Sequence, residues 1–285
     1  MKSGKQIIVA KHAGFCFGVR RAMEMAQKAL RQNGKKKKVF SIGPIIHNSQ
    51  AVKHLKKSGF KVIKNPKQIK AESIFIIRSH GMNPEIIDKL KQKKVKIIDA
   101  TCPFVKKAQL TAEKFFKEGR QVIIFGNPDH AEVRGISGHA GNSAVVVKNL
   151  TEARRLKKMK KVGILSQTTL QAEMFNKVAL AVAAQSRDAL IVNTICHDSS
   201  TKKTEVKELA RKIDAMVIVG GKESNNTRKL AQVSRSAKAK TYHIETAREL
   251  KPAWFRNAKK IGIAAGASTP DWIIKGVAER IENII

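Results

Sequence analysis

The chain of 285 residues has only three cysteines, and each occupies the same place in a repeated pattern. Cys16, Cys102 and Cys196 lie about 90 residues apart, a period that indicates three copies of one unit rather than a solenoid. Each cysteine follows a short apolar run by a few residues and precedes a stretch with helical periodicity. Three thiols in equivalent positions predict one site, built where the three units meet.

The residues after each cysteine extend the repeat. A helical stretch leads to a β-branched strand, then to a glycine, and four residues beyond that glycine to a polar side chain. A last strand in each unit ends in small or polar residues. This pattern predicts two rings of polar groups around the cysteines. The first ring is His47, His130 and Asn225, where Asn225 is the residue four positions after Gly221. The second ring is His80, Thr168 and Ser268.

Short apolar strands alternate with amphipathic helices, which predicts α/β units with parallel strands. Because ligands of open α/β sheets bind outside the carboxyl ends of the strands, these ends are expected to face a common centre. The expected domains are residues 1–98, 99–193 and 194–285. Residues 1–13 are a candidate to pack with the third domain, since an initial strand often completes a sheet across a chain end.

The formal net charge of +35 invites a nucleic-acid interpretation, because lysine and arginine release counterions from phosphates. The lysines, however, are spread through every helix, with one tight cluster at residues 35–38. Aromatic residues are few and no familiar nucleic-acid motif is present. We therefore favour a solvated basic surface, with an anionic substrate or an acidic electron-donor protein as the alternative explanation of the charge.

The chain begins without an apolar signal core, and no run approaches the ~18 apolar residues of a membrane span. A cytoplasmic protein without membrane contact is expected. In that compartment, three thiols indicate metal ligands or catalytic groups rather than disulfides.

Three thiolates could hold zinc with an open fourth position, or three irons of a 4Fe–4S cluster whose fourth iron has no protein ligand. No close Cys-x-x-Cys pair is present, which weakens a zinc-ribbon interpretation. Ligands from three separate units suit a larger cluster better than one small ion. A single buried cysteine is often only a small apolar side chain, but three repeat-equivalent cysteines argue against that explanation.

The polar residues on the predicted loops would make a donor-rich pocket for a phosphate or diphosphate. Helix N-termini after the cysteines would add amide donors and positive dipoles. Glu132 lies two residues after His130, and a glutamate beside a metal-bound hydroxyl could act as a proton donor. The candidate pocket residues are His47, His80, His130, Thr168, Thr169, Ser224, Asn226 and Ser268.

Seven blocks of the chain resemble the signature sequences of the 4-hydroxy-3-methylbut-2-enyl diphosphate reductase (IspH/LytB) family. The resemblance implies a trefoil of three α/β domains around a central, oxygen-sensitive 4Fe–4S cluster. It also implies reductive dehydroxylation of the allylic diphosphate to isopentenyl and dimethylallyl diphosphate, the last step of the non-mevalonate pathway. The blocks are Gly14–Val19, Gly43–Asn48, Ser79–Gly81, Asp99–Pro103, His130–Val133, Gln167–Leu170 and Gly266–Asp271.

The same resemblance assigns expected roles. It implies one cluster per chain, held by Cys16, Cys102 and Cys196 with one open iron, and a ferredoxin or flavodoxin as electron donor. It implies that Thr168 orders the substrate hydroxyl or a water and that Glu132 supplies protons. Residues expected around the diphosphate are His47, His80, His130, Thr168, Ser224, Asn225, Asn226 and Ser268.

Two positions depart from the family pattern. Asn225 stands where the family usually has a second serine, although an amide can still donate. Ala131 replaces a proline commonly found between the histidine and the glutamate, which leaves both functional groups in place.

Two other functions compete with the reductase. One is a hydro-lyase, which also uses a 4Fe–4S cluster with an open iron but passes no net electrons. The other is a basic nucleic-acid-binding protein with a structural metal, which predicts steeply salt-dependent binding to generic DNA or RNA. A requirement for reductant separates the first alternative from the reductase, and an iron–sulfur chromophore separates the second.

Overall fold

The computed structural model describes residues 4–33 and 37–285, so Lys35 and Lys36 of the predicted lysine cluster lie outside the described residues, as do residues 1–3 of the segment considered for the third domain. The chain divides into two compact units. The first unit contains residues up to Arg20 together with Ile46–His54 and His197–Ile285. The second unit contains Arg21–Ile45 and Leu55–Cys196.

Strands and α-helices alternate along the described part of the chain, except at two connections that contain only the 3-10 helices Pro66–Gln68, Ala247–Glu249 and Pro252–Phe255. The strands are β1 (Gln6–Val9), β2 (Val39–Ile42), β3 (Phe60–Ile63), β4 (Ile74–Ile77), β5 (Lys96–Asp99), β6 (Gln121–Phe125), β7 (Val145–Val147), β8 (Met159–Ser166), β9 (Ser186–Ile191), β10 (Ala215–Val219), β11 (Lys240–Ile244) and β12 (Lys260–Ala265). The helices are α1 (Phe17–Asn33), α2 (Ser49–Lys57), α3 (Pro84–Gln92), α4 (Pro103–Lys117), α5 (Ala131–His139), α6 (Leu150–Arg154), α7 (Ala172–Ala183), α8 (His197–Ala210), α9 (Asn225–Ser236) and α10 (Asp271–Glu282).

The strands form three four-stranded sheets in which every pairing is parallel. The first unit holds the sheet β1-β12-β10-β11, and the second unit holds β3-β2-β4-β5 and β7-β6-β8-β9. In each sheet the edge strand β1, β5 or β9 leads to a cysteine. The prediction of three repeated α/β units with parallel strands is confirmed, while the domain boundaries at residues 98 and 193 stay a prediction.

Both faces of these sheets are covered, as the strands of the third sheet illustrate. Successive side chains of a strand point to opposite faces. On one face Phe175 of α7 packs with Ile123, and on the other Phe115 of α4 packs with Val122 and Ile124. Burying one such side chain contributes about 1.5–3 kcal/mol. Because apolar side chains cover both faces, polar functional groups are expected at the ends of the strands.

One backbone hydrogen bond recurs at each cysteine. The N–H of Cys16 donates to the carbonyl of Ala267 at 3.1 Å, that of Cys102 to Ser79 at 3.0 Å and that of Cys196 to Thr168 at 2.8 Å. Each accepting carbonyl belongs to the second residue after the adjacent strand, β12, β4 or β8. The three cysteines therefore have equivalent backbone positions in the three sheets.

A second recurring bond corrects the register of the repeat. The N–H groups of Gly43, Gly126 and Gly220 donate to the last residue of β3, β7 and β11 at 2.8, 2.9 and 2.8 Å. Gly220, not Gly221, is thus the equivalent glycine, and the residue four positions on is Ser224. Two glycines follow β10, and the sequence does not show which one makes this bond. The place of Asn225 in the first ring stays a prediction.

The described helices include none that combines the length and the hydropathy required to span a bilayer.

Candidate active site

A buried carboxyl group is the main chemical feature of the second unit. His130 caps α5, and Glu132 lies in the first turn with a side chain only 1% exposed. One Glu132 carboxylate oxygen accepts the N–H of Thr168 at 2.6 Å. Burial raises the pKa of Glu132 to about 7, although hydrogen bonds from the backbone and side chain of Thr168 oppose the rise. Such a pKa suits a general acid near neutral pH.

Thr168 connects this carboxyl group to a cysteine. The residue lies just after β8 and is buried. Its N–H binds Glu132, and its carbonyl accepts the N–H of Cys196. The N–H and the carbonyl of Thr168 therefore hold both the Glu132 side chain and the segment that carries Cys196.

Cys102 lies within electrostatic range of the same two groups. Burial raises the pKa of the Cys102 thiol, the N–H groups at the start of α4 oppose this, and the negative charges of Cys196 and Glu132 raise the pKa further. Cys102 caps α4 without a hydrogen bond from its side chain. A nearby cation favours the thiolate form of a buried thiol and so opposes the rise in the pKa of Cys102. Cys102 and Cys196 therefore fit a metal centre.

Two predicted histidines lie together in the second unit. The ring centroids of His80 and His130 are 5.7 Å apart, with an edge-to-face angle of 74°. The Nδ1 atom of His130 accepts the N–H of Glu132 at 3.3 Å. A neutral ring that accepts at Nδ1 carries its proton on Nε2, so His130 has an N–H donor suited to an anion.

In the first unit, three predicted residues converge near the end of β12. The Ser268 hydroxyl donates to the carbonyl of His47 at 2.9 Å. Ser268 directly follows Ala267, whose carbonyl holds the N–H of Cys16. The hydroxyl of Ser268 thus orders the backbone of His47, next to the segment that holds Cys16.

Three consecutive polar residues at the start of α9 have different surroundings. Ser224 caps the helix, and its hydroxyl oxygen accepts the N–H of Thr227 at 3.4 Å. Asn225 is exposed, and its carboxamide oxygen accepts a hydrogen bond from Arg228. Both side-chain amide atoms of Asn226 are buried and have no hydrogen-bond partner among the described residues. An unsatisfied buried amide costs about 1–3 kcal/mol, which is characteristic of a group kept for a ligand.

Replacing Asn226 by leucine tests that interpretation. Removing an unsatisfied amide while keeping its approximate volume is expected to leave the free energy of unfolding unchanged or raise it by about 1 kcal/mol. Diphosphate affinity should fall by a factor of about 10 or more, because a donor is lost. Urea unfolding and a binding titration measure the two effects. Gln232→Leu, at an exposed carboxamide on the same helix, is the control. A large loss of stability in Asn226→Leu would show that the amide is already satisfied.

The pKa of Glu132 predicts a pH dependence of stability. Folding raises this pKa from 4.5 to about 7, so the folded chain binds the proton more tightly than the unfolded chain. The resulting stabilisation is fully present below pH 4.5 and is lost as the pH rises through about 7. Relative to Glu132→Gln, the wild type should lose about 3 kcal/mol of unfolding free energy across this range, measured by urea denaturation. A difference that does not vary with pH would contradict the burial of the acid.

The sequence interpretation missed the supporting role of Gln167. Its carboxamide oxygen accepts the N–H of Asn127 at 3.2 Å, and its amide nitrogen donates to the Thr169 hydroxyl at 3.2 Å. Gln167 thus ties the loop after β6, which leads into α5 and Glu132, to the loop after β8, which carries Thr168. Its position directly between the strand end and Thr168 was the available signal.

Comparison with known proteins identifies the family. A family model described as LytB protein matches residues 7–282. The chain belongs to the LytB family, as the motif resemblance predicted.

Relatives of the chain are named as reductases of one substrate. The 4-hydroxy-3-methylbut-2-enyl diphosphate reductase of Geobacter metallireducens is 43% identical, over 98% of this chain and 98% of that protein. The enzyme of the same name from Aquifex aeolicus is also 43% identical, over 98% of this chain and 96% of that protein.

Solved structures agree with these sequence relatives. A structure of (E)-4-hydroxy-3-methyl-but-2-enyl diphosphate reductase, described as the terminal enzyme of the non-mevalonate pathway, is 43% identical and has a TM-score of 0.76 over 98% of this chain and 99% of that chain. The E-1-hydroxy-2-methyl-but-2-enyl-4-diphosphate reductase from Plasmodium falciparum is 27% identical, with a TM-score of 0.88 over 96% of this chain and 87% of that chain.

Proposed function

We propose that this chain reduces 4-hydroxy-3-methylbut-2-enyl diphosphate to isopentenyl and dimethylallyl diphosphate, the last step of the non-mevalonate pathway. The observation that carries the proposal is the buried Glu132, an acid with a pKa of about 7 beside Thr168 and within electrostatic range of Cys102, in a chain of the LytB family. The reaction consumes two electrons and two protons and releases the hydroxyl group as water.

The electrons require a redox centre, and we propose one 4Fe–4S cluster per chain held by Cys16, Cys102 and Cys196. Two observations support these ligands: their equivalent backbone positions, and the charge of Cys196, which helps to raise the pKa of Cys102. A cluster with three thiolate ligands leaves one iron without a protein ligand and supplies the electrons that the reaction consumes.

The diphosphate is bound by hydrogen-bond donors in this proposal. The Nε2–H of His130 and the unsatisfied amide of Asn226 support it, because both suit an anion. The N-terminus of α9 adds a positive dipole beside Ser224 and Asn226. The complete proposed set is His47, His80, His130, Thr168, Ser224, Asn225, Asn226 and Ser268.

Glu132 supplies a proton to the leaving hydroxyl group. In the protonated state that its pKa favours, the carboxyl can donate and so convert a poor leaving group into water. Thr168 orders the substrate hydroxyl and holds Glu132 in place through its own N–H. Burial of both residues excludes bulk water from the proton transfer.

The electron donor, the cellular compartment and the domain organisation complete the proposal. A ferredoxin or flavodoxin delivers the electrons, and an acidic one suits a chain with a net charge of +35. The enzyme works in the cytoplasm, without nucleic acid or membrane as partner. Its three α/β domains span residues 1–98, 99–193 and 194–285 around the cluster, with residues 1–13 joining the third.

Anaerobic purification followed by iron and sulfide analysis tests the proposal. About four irons and four sulfides per chain are expected. With dithionite and a viologen, the purified protein should convert the allylic diphosphate to both products. A sample prepared without oxygen that contains no iron would contradict the cluster, and conversion without reductant would favour the hydro-lyase.

A further inference from the structure

The segment of residues 11–15, which joins β1 to Cys16, is held by a buried lysine in the first unit. The Lys202 side chain of α8 is 4% exposed. Its ammonium group donates to the carbonyl of Gly14 at 2.9 Å and also to the carbonyl of His12. Burying an ammonium group is costly unless it is well paired. Lys202 is therefore not one of the solvated surface lysines of this chain.

A glutamate one turn further along α8 holds the same segment. One carboxylate oxygen of Glu205 accepts the N–H of Lys11. The other accepts the N–H of His12 at 3.0 Å and lies 3.0 Å from the Nδ1 of the same residue. Residues three apart on a helix face the same side. One face of α8 thus binds both the amide groups and the carbonyl groups of the segment.

The segment is also constrained at Gly14. Gly14 has a φ of +98°, a conformation that favours glycine. A Cβ atom at Gly14 would lie 2.8 Å from a carboxylate oxygen of Asp271 in α10. Position 14 therefore has little room for a side chain, and Cys16 follows the segment directly.

Lys202 also acts on Cys16 through its charge. Burial lowers the pKa of the Lys202 ammonium, and the negative charges of Asp198, Cys16 and Glu205 oppose this lowering. The Lys202 ammonium and Cys16 are thus close enough to interact electrostatically in partly buried surroundings. A positive charge near an iron–sulfur cluster favours the reduced state, since reduction adds negative charge.

We propose that Lys202 and Glu205 are positioning residues that clamp the segment before Cys16, and that the Lys202 charge raises the reduction potential of the cluster bound by that thiolate. The inference rests on the proposed function, because it presupposes a cluster ligated by Cys16. It adds a role for α8, the helix that begins directly after Cys196.

A redox titration followed by electron paramagnetic resonance tests the role of the charge. Lys202→Met removes both the charge and the hydrogen bonds, and Lys202→Gln removes the charge while keeping a donor. Both should lower the ratio of reduced to oxidised cluster at a fixed potential about tenfold, which is about 59 mV for a one-electron couple. Lys202→Arg should restore the potential. Lys207→Met, an exposed position on the same helix, is the matched control.

Hydrogen exchange tests the clamp by a readout that does not depend on activity. Glu205→Ala removes the acceptors of two backbone N–H groups, so a peptide covering residues 11–15 should exchange about tenfold faster. Glu208→Ala, at an exposed site on α8, should leave that exchange unchanged.

The outcomes separate this inference from the proposed function. If the wild type holds a cluster but Lys202→Gln keeps the wild-type potential, the electrostatic role is overturned. Unchanged exchange in Glu205→Ala overturns the clamp. If Lys202→Met loses its iron while Lys202→Arg and Lys207→Met retain it, positioning is supported. A wild type without iron overturns the proposed function, whereas the exchange experiment still reports on the clamp.

Discussion

Glu132→Gln is expected to reduce turnover by a factor of the order of 10² or more, because the variant cannot donate a carboxylic proton to the leaving hydroxyl. The amide oxygen of glutamine can still accept the N–H of Thr168, so the loop geometry is retained. Wild-type turnover should decline as the pH rises through about 7, where Glu132 loses its proton. This decline should be absent in the variant. Steady-state assays with dithionite and a viologen across that range measure both effects.

A control separates loss of the acid from a general effect of charge. Glu173→Gln neutralises an exposed carboxylate on α7 that pairs only with Lys177 among the described residues, and it should leave turnover unchanged. Diphosphate affinity should be similar in wild type and Glu132→Gln. Near-normal turnover of Glu132→Gln would remove this residue from the mechanism.

Cys102→Ser is expected to cost more, with turnover falling by a factor of the order of 10³ or more and iron content falling with it. A serine hydroxyl does not ionise near neutral pH and is a poor ligand for iron. The substitution is small, and the N–H of residue 102 can still bind the carbonyl of Ser79. Iron and sulfide per chain, the visible absorption spectrum and turnover should therefore fall together while the fold persists.

The control for this substitution lies on the same helix. Thr111→Ser makes a change of similar size on α4, away from the cysteine, and should retain iron and activity. Far-ultraviolet circular dichroism of both variants should match that of the wild type. Full iron content in Cys102→Ser would show that this thiol is not a cluster ligand.

The architecture was largely predictable from the sequence because its signal is periodic. Fully buried strands such as β4 and β10 read as continuous apolar runs bounded by polar or glycine residues. The threefold recurrence of strand, cysteine and helix then predicted three sheets. The repeat pattern differs from the structure by one residue only at Gly220 and Gly221, because the sequence does not show which of these N–H groups bonds to the last residue of β11.

The chemistry of the site was less accessible to sequence reasoning because burial is a tertiary property. Most glutamates are solvated, and only the burial of Glu132 in the folded chain gives this one a pKa of about 7. Asn225 and Asn226 are identical in sequence terms, yet one is exposed and the other has a buried amide. Lys202 is one of many lysines, and its burial follows from the fold of a segment distant in sequence.

The bonds that anchor the three cysteines use main-chain atoms alone, so they place no demand on the side chains of the residues that accept them. Those residues are a serine, a threonine and an alanine, at positions 79, 168 and 267. Each sheet can thus present its thiol in the same way while the adjacent side chain differs. All three sheets hold their cysteine by this bond, whereas only one of them brings Thr168 against Glu132, the residue proposed to deliver the proton.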